Sequence, residues 1–196
     1  MYQYKDIKQV HLEVTEKCNA ACPMCPRNIQ GGKENPLIIN AELSLADCKK
    51  IFDPAFIKQL DLMYMCGNYG DPIMAKDTLK IFKYFREYNS KMNLRMHTNA
   101  GARTKKWWED LAKTIGKKGR VVFGVDGLED TNHLYRQNVK WNIVERSMKA
   151  YIGAGGIARW DYLVFKHNEH QVEEAKKLSQ KLGFAGFQAK KTSRFY

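Results

Sequence analysis

The sequence predicts an α/β fold in which short parallel strands alternate with longer helices, and three observations predict it. Six short apolar runs of strand length recur along the 196 residues. Between them lie longer segments whose apolar residues return every three or four positions, the spacing of one helix face. Gly153, Gly155, Gly156 and Gly183 stand where those helices should stop, glycine being the residue that closes a helix with least strain. Repeated strand–helix units need crossover connections, and these make the sheet parallel.

The first run, VHLEV (10–14), is followed by SLADCKKIF (44–52), with Leu45, Cys48 and Phe52 on one helical stripe. LDLMYM (60–65) precedes AKDTLKIFKYFREY (75–88), where Leu79, Phe82 and Phe85 repeat. NLRMHT (93–98) precedes TKKWWEDLAKTI (104–115), whose stripe is Trp107 or Trp108, Leu111 and Ile115. RVVFGV (120–125) leads to WNIVERSMKAYI (141–152), and ARWDYLVF (158–165) to EHQVEEAKKLSQKL (169–182). GFAGFQA (183–189) is the sixth run. GAGG (153–156) precedes a strand instead of opening a helix, so it is a turn and not a dinucleotide loop.

A length of 196 residues with 44% hydrophobic and 28% charged residues fits one domain over 1–196, large enough to bury a core without disulfides. No apolar run reaches membrane-spanning length, and MYQYKDIK lacks the apolar core of a signal peptide. The reading is cytoplasmic, with no membrane partner. The net charge of +12 permits an anionic partner, but lysine pairs such as Lys49-Lys50, Lys176-Lys177 and Lys190-Lys191 read better as solvated faces, because no basic-aromatic motif of a nucleic-acid-binding module accompanies them.

Parallel α/β folds carry their chemistry at the C-terminal ends of the strands. The first strand should end near Val14, and the loop after it holds CNAACPMCPRN, with Cys18, Cys22 and Cys25 spaced C-x-x-x-C-x-x-C. Pro23 and Pro26 keep that loop from becoming helix. In a reducing compartment, clustered thiols point to metal or redox chemistry. Zinc would want a fourth ligand, with His11, Cys48, Cys66 and His97 as candidates. A cubane normally takes four cysteines, so three would leave one iron open to a non-protein ligand.

This loop resembles the signature of the radical S-adenosylmethionine (SAM) superfamily. There three cysteines hold a 4Fe-4S cluster, and the amino and carboxylate groups of SAM chelate the fourth iron. The resemblance extends over nearly the whole chain, because other pieces follow in order at successive strand ends. CGNYGDP (66–72) is similar to the glycine-rich acidic segment that receives the methionine amino group, which implies roles for Gly67, Asn68, Tyr69, Gly70 and Asp71; a Gly-Asp-Pro turn uses the same residues. HTNAG (97–101) matches the threonine-asparagine-glycine of the family through Asn99. FGVDGLEDTNHLYR (123–136) resembles the serine-x-aspartate-glycine segment with a downstream arginine found in peptide-modifying and molybdopterin-pathway members, implicating Asp126 and Arg136. Gly124 replaces the serine, so Arg136 either grips the cofactor carboxylate alone or is a surface helix residue. FKHNEHQVEEA (165–175) resembles the segment near the adenosine, through Phe165 and Asn168, although Asn168 also reads as a helix N-cap. Met24 stands where the family usually has an aromatic residue before the third cysteine.

The resemblance implies an open six-stranded partial (β/α)6 TIM-like barrel. It implies an oxygen-sensitive enzyme that uses a reduced cluster to split SAM into methionine and a 5′-deoxyadenosyl radical, which abstracts a substrate hydrogen. An external flavodoxin- or ferredoxin-like protein would supply the electron. The strand-four and strand-five segments favour a peptide or protein substrate, whereas charge favours a nucleotide or RNA; a non-catalytic zinc-binding module is the alternative of another class. With only Cys48 and Cys66 to spare, one cluster of about four irons is expected. Cys48 reads as a core thiol. Cys66 is either a hydrogen donor or redox partner, or a buried thiol.

Overall fold

The structure, a computed structural model, describes residues 3–191. Its strands are β1 (Gln9–Leu12), β2 (Leu62–Met65), β3 (Asn93–Thr98), β4 (Gly119–Gly124), β5 (Ala158–Val164) and β6 (Gly186–Lys191). Among the described residues they form one six-stranded sheet in the order β1-β2-β3-β4-β5-β6, and every pairing is parallel. Strands β1 and β6 are the two edges, so the chain forms the open partial (β/α)6 barrel that the sequence predicts.

The helices are α1 (Leu45–Ile51), α2 (Pro54–Gln59), α3 (Thr78–Tyr88), α4 (Lys105–Ile115), α5 (Asn132–Tyr135), α6 (Trp141–Gly153) and α7 (Val172–Leu182). Their ends follow from local chemistry. Ser44 and Asp47 form a reciprocal capping box at the start of α1, and the Asp53 carboxylate accepts from the Ala55 and Phe56 amides to open α2. Thr104 caps α4, whose buried stripe is Trp108, Leu111, Ala112 and Ile115. Gly183 ends α7 in the left-handed region at φ 86°, where a side chain would be strained.

Period-two alternation gives the sheet two different faces. Met63, Met65, Leu94, Met96, Phe123 and Trp160 point outward and are fully buried beneath the helices. Most intervening positions on β3, β4 and β5 are less covered: Arg95, Arg120, Arg159 and Asp161 are partly buried and His97 is exposed, while Val122 is buried. A parallel sheet buried on both faces would read as near-continuous apolar runs; here the inner face is polar and lines a lumen.

The largest differences from the sequence reading are at two strand ends and two short helices. Strand β1 ends at Leu12, not near Val14, because the chain beyond it leaves the ladder and pairs antiparallel with 41–43: the Leu43 amide donates to Val14 O at 2.9 Å and the Glu16 amide to Ala41 O at 2.9 Å. Strand β6 starts at Gly186, after Gly183 has closed α7 and Phe184 has packed against Phe123 and Trp160. Helices α2 and α5, of six and four residues, are too short to show a period.

The sequence left Trp107 and Trp108 as either packing or surface residues, and the structure separates them. Trp108 is fully buried and its Nε1 donates to Ala102 O at 3.0 Å. Trp107 is partly covered and lies 5.3 Å from the Arg103 guanidinium. Trp108→Ala should therefore lower the unfolding free energy by about 3–5 kcal/mol. Trp107→Ala should cost about 1 kcal/mol, the worth of a cation–π contact. Urea denaturation of the two variants checks the difference.

Candidate active site

The loop of residues 13–44 carries Cys18, Cys22 and Cys25 to the C-terminal rim of the sheet. Tight turns hold it, with the Cys25 amide donating to Cys22 O at 3.0 Å and the Ala21 amide to Gln137 O at 3.0 Å. Arg27, which the sequence reading passed over, is its anchor. The buried guanidinium donates to Glu16 O, to the Glu34 carboxylate at 2.5 Å and to Asn40 Oδ1 at 3.1 Å, tying both limbs of the loop together.

All three cysteines line one cleft of about 420 Å³, together with residues from the ends of β2 through β6. Burial is the main cause that raises the Cys18 thiol to about 12, and the nearby Asp71 carboxylate adds to it. Burial also raises Cys22, opposed by Arg136. Yet two of the sulfurs are met by hydrogen-bond donors: Cys18 Sγ accepts from the Ala20 amide at 3.4 Å and from Asn99 Nδ2 at 3.7 Å, and Cys22 Sγ from Arg136 Nη1 at 3.7 Å, whereas the Cys25 thiol donates to Asn68 O at 3.8 Å. Thiols that ionise only against a strong positive charge, and donors aimed at their sulfurs, suit thiolates bound to metal. Among the described residues no three His, Cys, Asp or Glu side chains are grouped for a single metal ion. Cys48, buried in α1 and raised by that burial to about 11, is a core thiol as the sequence predicts.

The segment after β2 packs against this loop through its glycines. A Cβ on Gly70 would lie 1.9 Å from Thr15 O, so the two loops touch backbone to backbone. Asn68 is clamped by Glu13, which accepts from its amide at 2.9 Å and from its Nδ2 at 2.5 Å. Asp71 lines the cleft, but its carboxylate is fully engaged. It accepts from the Ile73 amide at 3.1 Å, the Asn99 amide at 2.7 Å and Thr98 Oγ1 at 3.1 Å. Burial raises its pKa against those bonds. Asp71 thereby latches the β2 end to the β3 end and fixes Asn99, whose side chain reaches Cys18. Gly67 and Gly70 line the cleft, as does the half-exposed Tyr69.

At the end of β4, Asp126 is fully buried and pairs with Arg136, Oδ2 accepting from Nε at 2.7 Å. Oδ1 accepts from the Leu163 amide at 2.7 Å. Burial works against the Arg136 charge, but Asp126 and then Cys22 outweigh it, so the guanidinium is held firmly protonated. Arg136 is the cap residue after α5 and its side chain faces the cleft, not the surface. A Cβ on Gly124 would stand 2.8 Å from Arg136 Nη2. The guanidinium therefore presses into space that a side chain at 124 would need.

Asn168 is fully buried and makes no side-chain cap at the turn it precedes. Its Nδ2 donates to Asp126 O and Leu163 O, both at 2.9 Å, and its Oδ1 accepts from the Phe165 amide at 2.7 Å. It stitches the β4 and β5 ends together. Phe165 packs on Tyr135 with ring centroids 4.5 Å apart and planes inclined by 40°, and Tyr135 lines the cleft. Met24 packs against the core beside the third cysteine. Cys66 lines the cleft, with its thiol raised by burial, then by Asp71 and Glu13. Sequence reasoning missed Tyr135, Asp161 and Lys190, all in the cleft wall. A charged position inside a β-rich run was the signal for Asp161, whereas Lys190 lies just past the end of the sixth run. Lys190, grouped in the sequence with solvated lysines, instead donates to Asp161 Oδ2 at 2.8 Å.

Residues 12–179 match the family model described as the radical SAM superfamily. No curated protein matches the chain in sequence. Among solved structures, the chain is similar to SuiB from Streptococcus suis bound to S-adenosylmethionine, at 18% identity and TM-score 0.73, over 94% of this chain and 40% of that one. SuiB bound to its precursor peptide SuiA matches at 18% identity and TM-score 0.73, over 94% and 39%. The protein anSMEcpe with bound AdoMet matches at 15% identity and TM-score 0.71, over 94% and 49%. This chain thus spans about two fifths to half of their length. At these identities the likeness is one of fold.

The Asp126–Arg136 pair is buried deeply enough for its loss to be measurable. Asp126→Ala should leave Arg136 with an uncompensated charge and destabilise the fold by about 3–5 kcal/mol, read as a fall in the denaturation midpoint. Asp130→Ala, which removes an unburied carboxylate bound to Gln171, should change it much less.

Proposed function

The chain belongs to the radical SAM superfamily and is an enzyme of that class, and we propose that Cys18, Cys22 and Cys25 hold a 4Fe-4S cluster beside a SAM site in the cleft. When bound, the cluster and SAM together supply a reductive cleavage that yields a 5′-deoxyadenosyl radical for hydrogen abstraction from a substrate. The observation that carries this reading is the convergence of the three loop thiols with Arg136 in a single cleft at the strand ends.

Arg136 receives the SAM carboxylate. Its Nε is committed to Asp126 and Nη1 donates to Cys22 Sγ, while Nη2 lies beside Gly124, and the Nη protons not so engaged are the donors that meet a carboxylate. The missing serine at 124 is thus matched by a guanidinium that uses its space. With the Asp71 carboxylate already accepting three hydrogen bonds, Cys66 O facing His11 Nε2 and Asn68 O facing the Cys25 thiol, the carbonyls of 67, 69 and 70 are the acceptors for the methionine amino group, and Asp71 acts by holding them in place. Tyr135 and Phe165, packed together at the β5 end, form the apolar wall for the adenine, with Met24 beside the third cysteine. Asp126, Asn99 and Asn168 position these groups. Cys66 stays in its thiol form, the form that a hydrogen-atom donor requires. An external flavodoxin- or ferredoxin-like protein delivers the electron.

For the substrate, the peptide reading is supported by the complex of SuiB with its precursor peptide and by that of anSMEcpe with a peptide. The nucleotide reading is supported by the net charge of +12 and by the cationic inner face of the sheet.

Anaerobically reconstituted protein should be brown, absorb broadly in the visible and contain about four irons per chain. Replacing Cys18, Cys22 and Cys25 by alanine should abolish the colour. Stoichiometric zinc in freshly isolated colourless protein would overturn the cluster assignment.

Arg136→Lys keeps the charge but loses the fork, and should weaken SAM binding by about ten- to a hundredfold, the worth of about 1.5–3 kcal/mol, with the cluster retained. Equilibrium binding on reconstituted protein reads the change; an unaltered dissociation constant removes Arg136 from the site.

A further inference from the structure

Directly below the cleft, the inner face of the sheet carries a group of cations that the reaction described above does not use. His97, Val122 and Asp161 line the cleft. By strand alternation the next inward positions beneath them are Arg95 on β3, Arg120 on β4 and Arg159 on β5. Lys190 on β6 closes the group from the side.

The arrangement is costly. Arg95 and Arg120 are register partners on adjacent strands, where like charges directly opposite each other destabilise a sheet. No carboxylate pairs with either among the described residues. Arg95 Nε donates only to Asn93 Oδ1, at 2.9 Å. Arg120 Nε is buried without any hydrogen-bond partner, and a buried donor left unsatisfied carries a desolvation penalty. The one carboxylate in the group, Asp161, is already divided between Arg159 at 2.9 Å and Lys190 at 2.8 Å. Four cations against one anion leave three positive charges uncompensated. Glu13, just past the end of β1, faces His11 at 3.9 Å and accepts from Asn68. Desolvation lowers the His97 pKa, with Asp161 opposing and Lys190, Arg120 and Arg159 adding to the effect.

We propose that this floor is a seat for a dianionic phosphoryl group of the substrate. Two guanidiniums side by side present more donors than one carboxylate can accept, and three uncompensated charges match a dianion better than a monoanion. The seat would fix the far end of the substrate and leave its nearer carbons facing the cleft. This assignment rests on the reading that the cleft above is where the SAM-derived radical acts.

The test uses reconstituted protein with SAM bound and inorganic phosphate as the probe, with affinity measured by calorimetry. Saturable phosphate binding should weaken at least tenfold in Arg120→Gln and in Arg95→Gln, and less in Arg120→Lys, while each variant still binds SAM. The SAM measurement also shows that each variant is folded. Glutarate, which carries carboxylates only, should bind more weakly than phosphate. Absence of saturable phosphate binding, binding of phosphate by Arg120→Gln and Arg95→Gln as tight as by the unaltered protein, or tighter binding of glutarate would each overturn the proposal. Failure of the unaltered protein to bind SAM would strike the proposed function instead.

Discussion

The buried pair between Asp126 and Arg136 is the interaction on which the rest of the site depends. A carboxylate with no exposed surface must be paired and hydrogen-bonded, and Asp126 meets that demand from three directions. Its carboxylate takes Arg136 and the Leu163 amide, its own amide donates to Asn132 Oδ1, and its carbonyl accepts from Asn168. These bonds fasten the β4 end to the β5 end and to α5. They also aim the Arg136 guanidinium at Cys22 on the cysteine loop. Asp71 plays the same part on the other side, joining the β2 end to the β3 end and placing Asn99 against Cys18. Two satisfied buried carboxylates thus hold a three-cysteine loop that has no helix or strand of its own.

A second constraint is the inequality of the two sheet faces. Packing of methionine and aromatic side chains under the helices stabilises one face, and the other is left to polar groups that make few good partners among themselves. Cross-strand arginines and an orphaned guanidinium nitrogen weaken the fold locally, and natural sequences tolerate such conflicts chiefly where function needs them.

Much of this was legible in the sequence, for physical reasons that differ from residue to residue. The strand runs and helix stripes were readable because their periods of two and about 3.6 are imposed by burial on one side. The cysteine loop was readable because thiol spacing and the two prolines are local. The end of β1 was not, because residues 13–16 are captured by a segment almost thirty positions later. The inward direction of Arg136 depends on a buried partner ten residues away. Tyr135, Asp161 and Lys190 share the cleft only because strands distant in sequence close around it. Asn168 looked like a helix cap by its neighbours, and is instead a buried stitch because its amide meets Asp126 O and Leu163 O.

The central claim, that the three thiols and Arg136 form a working SAM-cleaving site, is tested most directly by product formation. Anaerobically reconstituted protein, reduced with dithionite and given SAM, should form 5′-deoxyadenosine, and the protein with Cys18, Cys22 and Cys25 replaced by alanine should form none above the protein-free level. Equal yields from the two proteins, or no product from the unaltered one with its cluster intact, would contradict the account.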